Sequence, residues 1–213
     1  MTHEPWSGHG PIIPVLVIED AGIAVDLARA LVAGGLSALE VTLRTPAAPH
    51  AIAAIAAEVP EATVGAGTLR LPADAALAKD AGATFAVSPG YTQDLGAACR
   101  EAGLPLLPGV ATASELLLAY ADGHRFCKFF PAVAAGGVPV LKALAGPFPD
   151  VSFCPTGGIT EATAPDFLAL ATVPVCGGTW LTPAELVTTR DWTGITELAR
   201  RAAALGREGT SCS

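Results

Sequence analysis

The sequence predicts an α/β fold, and specifically a single-domain (β/α)8 TIM barrel. Apolar runs of four to eight residues alternate with amphipathic, alanine-rich segments, which is the pattern of strand–helix units around a parallel sheet. Eight such units fit into about 200 residues, and no linker or change of composition divides them. An open doubly wound sheet is the structural alternative, because a strand count alone does not establish closure.

Each predicted strand is a short apolar run, and each is followed by a segment with helical periodicity. The strands cover residues 12–18, 38–43, 63–66, 84–87, 104–107, 126–129, 151–154 and 173–176. The helices cover residues 23–33, 46–59, 72–81, 92–102, 114–121, 137–144, 162–170 and 183–187, with a further helix at 192–205. Residues 11–205 would form the barrel, residues 1–10 an N-terminal extension, and residues 206–213 a disordered tail.

Helix-start and helix-stop signals support these bounds. Asp20 and Thr92 are suited to cap helix starts. The prolines expected in first turns are Pro46, Pro72 and Pro183, and the glycines expected at helix ends are Gly34, Gly82 and Gly103.

The composition excludes several classes of protein. A net charge of −8 lacks the basic surface that nucleic acid or an anionic membrane requires. There is no apolar stretch of membrane-spanning length and no signal-peptide pattern, which predicts a cytoplasmic protein. Only 15% of the residues are charged, so some surface is expected to be buried between subunits.

The cysteines and histidines do not form a recognisable framework. The five cysteines are odd in number and lack a C-x-x-C pair, so we predict buried apolar thiols and neither a disulfide scaffold nor a zinc site. The histidines are scattered, and none lies at a predicted strand end with a second ligand nearby. The sequence therefore predicts no metal and no cofactor.

Lys128 lies inside an apolar run that reads as a buried strand, where an ammonium is costly to desolvate. The other lysines, Lys79 and Lys142, lie in helical context where a solvated charge is ordinary. Burial lowers the pKa of a lysine in general, and a neutral amine attacks carbonyl carbons, so this placement suggests imine chemistry. The alternative is a lysine whose stem packs while its head reaches water at the strand end.

In a barrel of this kind, function lies at the carboxyl ends of the strands. That rule places Glu40, Arg44, Thr68 and Thr156 at the same mouth as Lys128. A structural ion pair competes with an acid/base role for Glu40. Arg44 is either a solvated loop charge or a planar fork for a substrate carboxylate. Thr68 stays ambiguous on this evidence.

Two glycine pairs follow the last two predicted strands, Gly157-Gly158 and Gly177-Gly178. A single pair is usually just a tight turn. Two pairs on adjacent strand ends predict a phosphate site, because glycine lets backbone N–H groups approach an anion closely. An acidic protein can hold a phosphorylated metabolite in this way.

Five motifs resemble those of the 2-keto-3-deoxy-6-phosphogluconate (KDPG) aldolase and 4-hydroxy-2-oxoglutarate aldolase family. They are LEVTLRT at 39–45, VGAGT at 64–68, SPG at 88–90, KFFPA at 128–132 and CPTGGI at 154–159. Their order and spacing match the family over about residues 11–200. The resemblance implies a class I aldolase of the Entner–Doudoroff pathway, a homotrimer that cleaves a phosphorylated 2-keto-3-deoxy sugar acid. Members of this family often cleave 4-hydroxy-2-oxoglutarate as well, so the resemblance also implies this activity.

The resemblance also implies roles for individual residues. The catalytic residues would be Lys128, which forms the Schiff base, and Glu40, the general acid/base. Substrate-binding residues would be Arg44, Thr68, Pro89, Phe130 and Thr156, and the phosphate would be held by Gly157, Gly158, Gly178 and Thr179. Two positions depart from the family: Val133 stands where an acidic residue is common, and Thr179 where serine is frequent.

Two alternatives to this function stay open. One is an aldolase for the galactonate epimer or for an unphosphorylated 4-hydroxy-2-keto acid. The other is a barrel of a different class that binds or isomerises a sugar phosphate without a covalent intermediate.

Overall fold

A computed structural model describes residues 8–205 of the 213-residue chain. Its strands are β1 Ile12–Leu16, β2 Ala38–Thr42, β3 Thr63–Gly67, β4 Phe85–Val87, β5 Leu106–Leu107, β6 Gly109–Val110, β7 Phe126–Phe129, β8 Ser152–Pro155 and β9 Cys176–Gly178. The predicted 206–213 tail and most of the predicted extension lie outside the described residues.

The helices follow the strands in alternation, as the sequence predicts. After a short 3-10 turn at Ala21–Ile23 they are α1 Ala24–Ala33, α2 Ala48–Glu58, α3 Pro72–Asp80, α4 Gln93–Glu101, α5 Ala113–Ala121, α6 Gly137–Ala145, α7 Ala164–Leu168, α8 Ala184–Thr188 and α9 Trp192–Ala204.

The caps agree with the predictions at some helices and differ at others. Asp20 and Thr92 cap helix starts, since each accepts a hydrogen bond from a backbone N–H. Pro72 opens α3. The predictions for Pro46 and Pro183 are wrong: Pro46 precedes the cap of α2, and Pro183 is itself the cap of α8.

The strand pairs are parallel throughout the described part, and they form two sheets. One has six strands in the order β5-β4-β3-β2-β1-β9, and the other has three in the order β6-β7-β8. An isolated parallel bridge between Thr156 and Gly177 links the end of β8 to β9. The predicted α/β class with parallel strands is confirmed.

Two predicted strands differ from the structure because of proline. The predicted fifth strand, residues 104–107, is shortened to β5 at Leu106 and Leu107, which pairs with β4. A further short strand that was not predicted, β6, follows Pro108 and pairs with β7. The predicted eighth strand begins later, at Cys176, since Pro174 has no N–H to give to a ladder. Gly177 and Gly178 therefore lie within β9 and do not follow it.

The core has two parts. The larger one packs the outer faces of the strands against the helices. The smaller one joins Ile13, Phe85, Leu107, Cys154 and Val175, which come from both sheets or from just beside them. Residues of the two sheets therefore pack together in one apolar cluster.

Candidate active site

Lys128 and Glu40 form a buried ion pair between β7 and β2. The Lys128 Nζ lies 3.0 Å from Glu40 Oε1 and 3.3 Å from Oε2. Their side chains are only 6% and 3% exposed, so water screens the pair weakly. Parallel strands end on the same side, which is why two residues 88 positions apart meet here. The predicted meeting of these two residues is confirmed.

Gly67, at the end of β3, makes room for the carboxylate. A Cβ at this position would lie 2.3 Å from Glu40 Oε1, closer than a real contact allows. Gly177 does the same for Thr156, where a Cβ would lie 2.2 Å from Oγ1. The space around both polar groups therefore depends on having no side chain at the facing position.

Arg44 and Thr68 meet at the adjacent strand ends. Arg44 Nε donates to Thr68 Oγ1 over 3.2 Å, and Thr68 has a positive φ of 64°. A left-handed threonine is rare, because its β-branched side chain crowds the backbone. The Arg44 side chain is exposed, and none of the carboxylates in the described residues lies within ion-pair distance of it. Its guanidinium is free to bind an anion.

Phe130 and Pro89 are both partly buried. The Lys128 Nζ lies 5.4 Å from the centroid of the Phe130 ring. The same ring lies about 3.3 Å from where a Cβ on Gly157 would be, so Phe130 spans from the lysine to the first glycine pair. Pro89 packs closely against Gly109, whose hypothetical Cβ would be 2.3 Å from the Pro89 carbonyl carbon. The structure thus brings Phe130 to the charge pair, whereas Pro89 lies by the strand break.

The two glycine pairs are adjacent, because the Thr156–Gly177 bridge joins the strand ends that carry them. Gly157 and Gly158 have positive φ angles of 103° and 78°, so this turn favours glycine. Gly178 lies against the Trp180 ring, which a Cβ would approach to 2.2 Å. Thr179 is exposed at the mouth. This arrangement presents backbone at two neighbouring strand ends.

Val133 borders the first glycine turn, with its N–H donating to Gly157 O over 3.1 Å. Its side chain is 49% exposed and would contact a Cβ on Gly158 at 2.9 Å.

Beside Thr179 a cavity of about 550 Å³ opens between the β1–α1 loop and α8, and neither Lys128 nor Glu40 lines it.

The sequence did not single out Cys154 as part of the site, yet it lies beside Lys128 in the register of β8 with β7. Its Sγ is 3.9 Å from Thr156 Oγ1. Burial raises the pKa of the Cys154 thiol to about 12, a rise that the positive charge of Lys128 opposes. The thiol is therefore protonated at neutral pH and packs as a small apolar group in the smaller core cluster, with no role as a nucleophile. The sequence feature that could have identified Cys154 is its place in a predicted buried strand, two residues before Thr156.

The described residues contain no group of three histidine, cysteine or acidic side chains placed to hold a metal ion. In the same part of the chain Cys99, Cys127, Cys154 and Cys176 are free and buried. No helix between residues 8 and 205 is both long and apolar enough to cross a bilayer.

Comparison with known proteins gives consistent matches over most of the chain. The family model described as KDPG and KHG aldolase matches residues 7–198. A KHG/KDPG aldolase from Escherichia coli is 53% identical over 193 residues, covering 91% of each chain. A 2-dehydro-3-deoxy-phosphogluconate aldolase from Pseudoalteromonas atlantica is 51% identical over 195 residues, covering 92% of this chain and 91% of its own.

A solved structure agrees as well. The KDPG aldolase from Legionella pneumophila, with pyruvate captured as a covalent carbinolamine intermediate, superposes with a TM-score of 0.91 at 43% identity. The match covers 95% of this chain and all of the other.

Proposed function

Because this chain belongs to the KDPG and KHG aldolase family, we propose that it is a class I aldolase. It cleaves 2-keto-3-deoxy-6-phosphogluconate reversibly to pyruvate and glyceraldehyde 3-phosphate, a reaction of the Entner–Doudoroff pathway. The observation that carries this proposal is the buried contact of 3.0 Å between an amine, Lys128, and a carboxylate, Glu40. An amine beside a proton acceptor is the minimum set for forming and resolving an imine.

The first half of the reaction builds the iminium. Glu40 takes a proton from the Lys128 ammonium, and the free amine attacks the C2 ketone of the substrate to give a carbinolamine. Glu40 then returns the proton to the C2 hydroxyl, which leaves as water. The resulting cation at C2 can accept the electron pair that bond cleavage releases.

The second half breaks the carbon–carbon bond. The C4 hydroxyl loses its proton to Glu40, the C3–C4 electrons move toward the iminium nitrogen, and glyceraldehyde 3-phosphate leaves. Protonation of the remaining enamine at C3 gives the iminium of pyruvate. Addition of water at C2 and release of the amine then free pyruvate and restore Lys128. No redox partner is required, since every electron pair stays within the substrate and the enzyme.

The surrounding residues fit the two ends of this substrate. Arg44, with Thr68 beside it, would bind the carboxylate next to C2, because a guanidinium pairs with a carboxylate through two parallel hydrogen bonds. Phe130 and Pro89 would line the pocket, and Thr156 would meet the substrate hydroxyls. The phosphate would lie on the backbone N–H groups near Gly157, Gly158, Gly178 and Thr179.

We further propose that the two sheets form one closed (β/α)8 barrel. Only Pro108 separates β5 from β6, and the Thr156–Gly177 bridge joins β8 to β9, so neighbouring strands follow one another around the full circle. An unbroken ring of slowly exchanging strand amides in hydrogen-exchange NMR would support closure. Fast exchange along one whole strand edge would contradict it.

A homotrimer in the cytoplasm is the setting that we propose for this enzyme. The low charged fraction of 15% and exposed apolar side chains such as Leu117 and Leu118 favour buried surface between subunits. The free thiols of the described residues suit a reducing compartment. Sedimentation equilibrium tests the trimer, and a mass of a single chain would refute it.

Reductive trapping tests the imine mechanism directly. Borohydride added with pyruvate should fix one pyruvyl group per chain, and peptide mapping should place it on Lys128. Lys79 and Lys142 act as internal controls, because both are exposed residues on helices, outside the buried pair. An unmodified Lys128 would refute the covalent mechanism and favour a barrel that binds or isomerises a sugar phosphate.

A second substrate is favoured by the name of the Escherichia coli relative, a KHG/KDPG aldolase. We propose that the same site also cleaves 4-hydroxy-2-oxoglutarate to pyruvate and glyoxylate, since the lysine chemistry at C2 is identical. Rates on this substrate, on KDPG and on its galactonate epimer would rank the three. A faster rate on the epimer would overturn the assignment to the gluconate substrate.

A further inference from the structure

The segment that joins β2 to α2 carries Arg44 and is held from both sides. On the β3 side, Leu43 N donates to Gly67 O over 2.8 Å, and Arg44 itself contacts Thr68. On the β1 side, two threonine hydroxyls donate to backbone carbonyls. Thr42 Oγ1 reaches Leu16 O over 2.9 Å, and Thr45 Oγ1 reaches Ile18 O over 2.5 Å. Arg44 therefore lies between two threonine anchors.

Thr45 lies just before α2 but does not cap this helix. A threonine shortly before a helix commonly caps the helix by accepting a backbone N–H. Here α2 has Ala47 as its cap residue, with no side-chain cap. The Thr45 hydroxyl instead donates to the carbonyl of Ile18, at the start of the β1–α1 loop. Its hydrogen bond connects two loops at the mouth and contributes nothing to the helix end.

The conformation around Arg44 makes this link matter. Arg44 N donates to Thr42 O over 2.7 Å, so the chain turns tightly just before Thr45. Beyond that turn, the exposed guanidinium has a single hydrogen bond within the described residues, the one to Thr68. A long side chain with one weak tether loses much rotamer freedom on binding, and fixing its backbone lowers that cost.

We propose that Thr45 is a positioning residue for binding of the 2-keto carboxylate and that it acts through Arg44. The inference rests on the proposed function, because it assumes that Arg44 binds this carboxylate. We do not assign this positioning role to Thr42. It is fully buried on β2, on the same face as Glu40 two residues before it, so changing it would disturb the base as well.

An assay that uses pyruvate alone isolates this end of the substrate. Enamine formation exchanges the pyruvate methyl protons for deuterium, and NMR follows the exchange without any phosphate present. Thr45→Val keeps the shape and removes the hydroxyl, while Thr45→Ser keeps the hydroxyl. We expect Thr45→Val to raise the KM for pyruvate by about three- to tenfold, the effect of one lost hydrogen bond, with kcat nearly unchanged. Thr45→Ser should behave like the wild type.

A double-mutant cycle shows whether Arg44 carries the effect. In an Arg44→Ala background, Thr45→Val should leave the KM for pyruvate unchanged. An equal rise of KM in both backgrounds would overturn the inference, and so would a Thr45→Val enzyme that melts earlier but keeps the wild-type KM. If the wild-type enzyme fails to exchange pyruvate at all, the proposed function fails and takes the inference with it. Normal wild-type exchange with no change in KM refutes the inference alone.

Discussion

Two clusters of charged side chains differ in what surrounds them. The first is the Lys128–Glu40 pair at the strand ends, where both side chains are almost fully buried. The second, here called the Asp122 cluster, consists of Tyr91, Arg100, Asp122 and His124 and joins α4 to the end of α5. There Asp122 accepts hydrogen bonds from Tyr91 and from Arg100, the latter over 2.8 Å.

Each cluster depends on a glycine. A Cβ on Gly67 would lie 2.3 Å from Glu40, and one on Gly96 would lie 2.6 Å from the Tyr91 hydroxyl. In both places the missing side chain of a glycine makes room for polar groups. The Asp122 carboxylate accepts from two donors, Tyr91 and Arg100, whereas within residues 8–205 Glu40 accepts side-chain hydrogen bonds from the Lys128 amine alone and adjoins the polar mouth. The Lys128–Glu40 pair is therefore the buried one of the two, whereas Arg100 is more than half exposed to water and engaged with Asp122.

The pKa shifts in the Asp122 cluster fit a structural role. Burial and the hydrogen bond to Asp122 raise the pKa of Tyr91 to about 12. The hydrogen bonds from Tyr91 and Arg100 hold the pKa of Asp122 below its usual value. Tyr91 and Asp122 therefore each keep one protonation state near neutral pH, which is unsuited to acid/base chemistry.

The largest expected effect on activity comes from replacing the cationic residue of each cluster, Lys128 in one and Arg100 in the other. Lys128→Met should reduce cleavage of KDPG to background, because it removes the nucleophile that forms the iminium. Arg100→Met should leave turnover near the wild-type level and lower the melting temperature by about 2–4 °C, since the arginine is more than half exposed. A coupled assay for pyruvate and thermal unfolding measure the two quantities. Unfolded Lys128→Met protein, or an inactive Arg100→Met protein, would contradict this division.

The carboxylates offer the next comparison. Glu40→Gln should slow turnover by about 10²–10⁴, the usual effect of removing a positioned acid/base, because the amide cannot shuttle the protons for imine formation. Asp122→Asn should keep turnover within about threefold while weakening the links to Tyr91 and Arg100. Steady-state kinetics with KDPG as the substrate measure the turnover of both variants. Turnover near the wild-type level in Glu40→Gln would remove Glu40 from the proton steps.

The two glycines allow a matched test of the space around each cluster. Gly67→Ala should lower kcat by at least tenfold, because the new methyl group must displace the Glu40 carboxylate from Lys128. Gly96→Ala should leave kcat unchanged. In that variant the gain in helix propensity of about 1 kcal/mol offsets the crowding of Tyr91, so stability should change little. Equal loss of activity in both variants would show that general packing damage is responsible.

The smallest expected effect concerns pH. Burial holds the pKa of His124 below its usual value, so the unfolded chain takes up this proton more readily than the folded protein. Asp122 favours the proton, while Arg100 and Arg125 oppose it. Stability should therefore decline as pH falls through the His124 pKa of the unfolded chain, near 6.5.

Urea unfolding at pH 7.5, 6.5 and 5.5 would measure this decline. His124→Gln should flatten the fall of the urea midpoint with pH, and His50→Gln, a change at an exposed histidine, should leave it as in the wild type. Identical pH profiles for all three proteins would exclude His124 as a source of the dependence.

The sequence was sufficient for most of the strands because they are nearly continuous apolar runs, as expected when both faces are buried. It failed where one residue decides a ladder. Pro174 delays β9 to Cys176, and β6 follows Pro108 where no strand was predicted. A proline has no N–H to give to a ladder, and the effect of that loss depends on which neighbouring strand would have accepted the hydrogen bond.

The site was predictable to the extent that strand ends meet at one mouth. That rule alone brought Glu40 and Lys128 together. It could not reveal that Gly67 clears space for the carboxylate, nor that Thr45 donates to Ile18, because each is a contact between neighbouring segments of the fold that no periodicity encodes. The Asp122 cluster was missed for the same reason.

The pairing of β1 with β9 has a consequence for biosynthesis. Ile12 pairs with Cys176, so β1, the first of the described strands to leave the ribosome, must wait for β9, the last of them. At translation rates of 5–20 residues per second, that wait lasts roughly 10–30 s. During this time one edge of β1 has no partner strand, and such an edge is open to pairing with another nascent chain. The growing polypeptide should therefore depend on chaperones most just before residue 176 emerges.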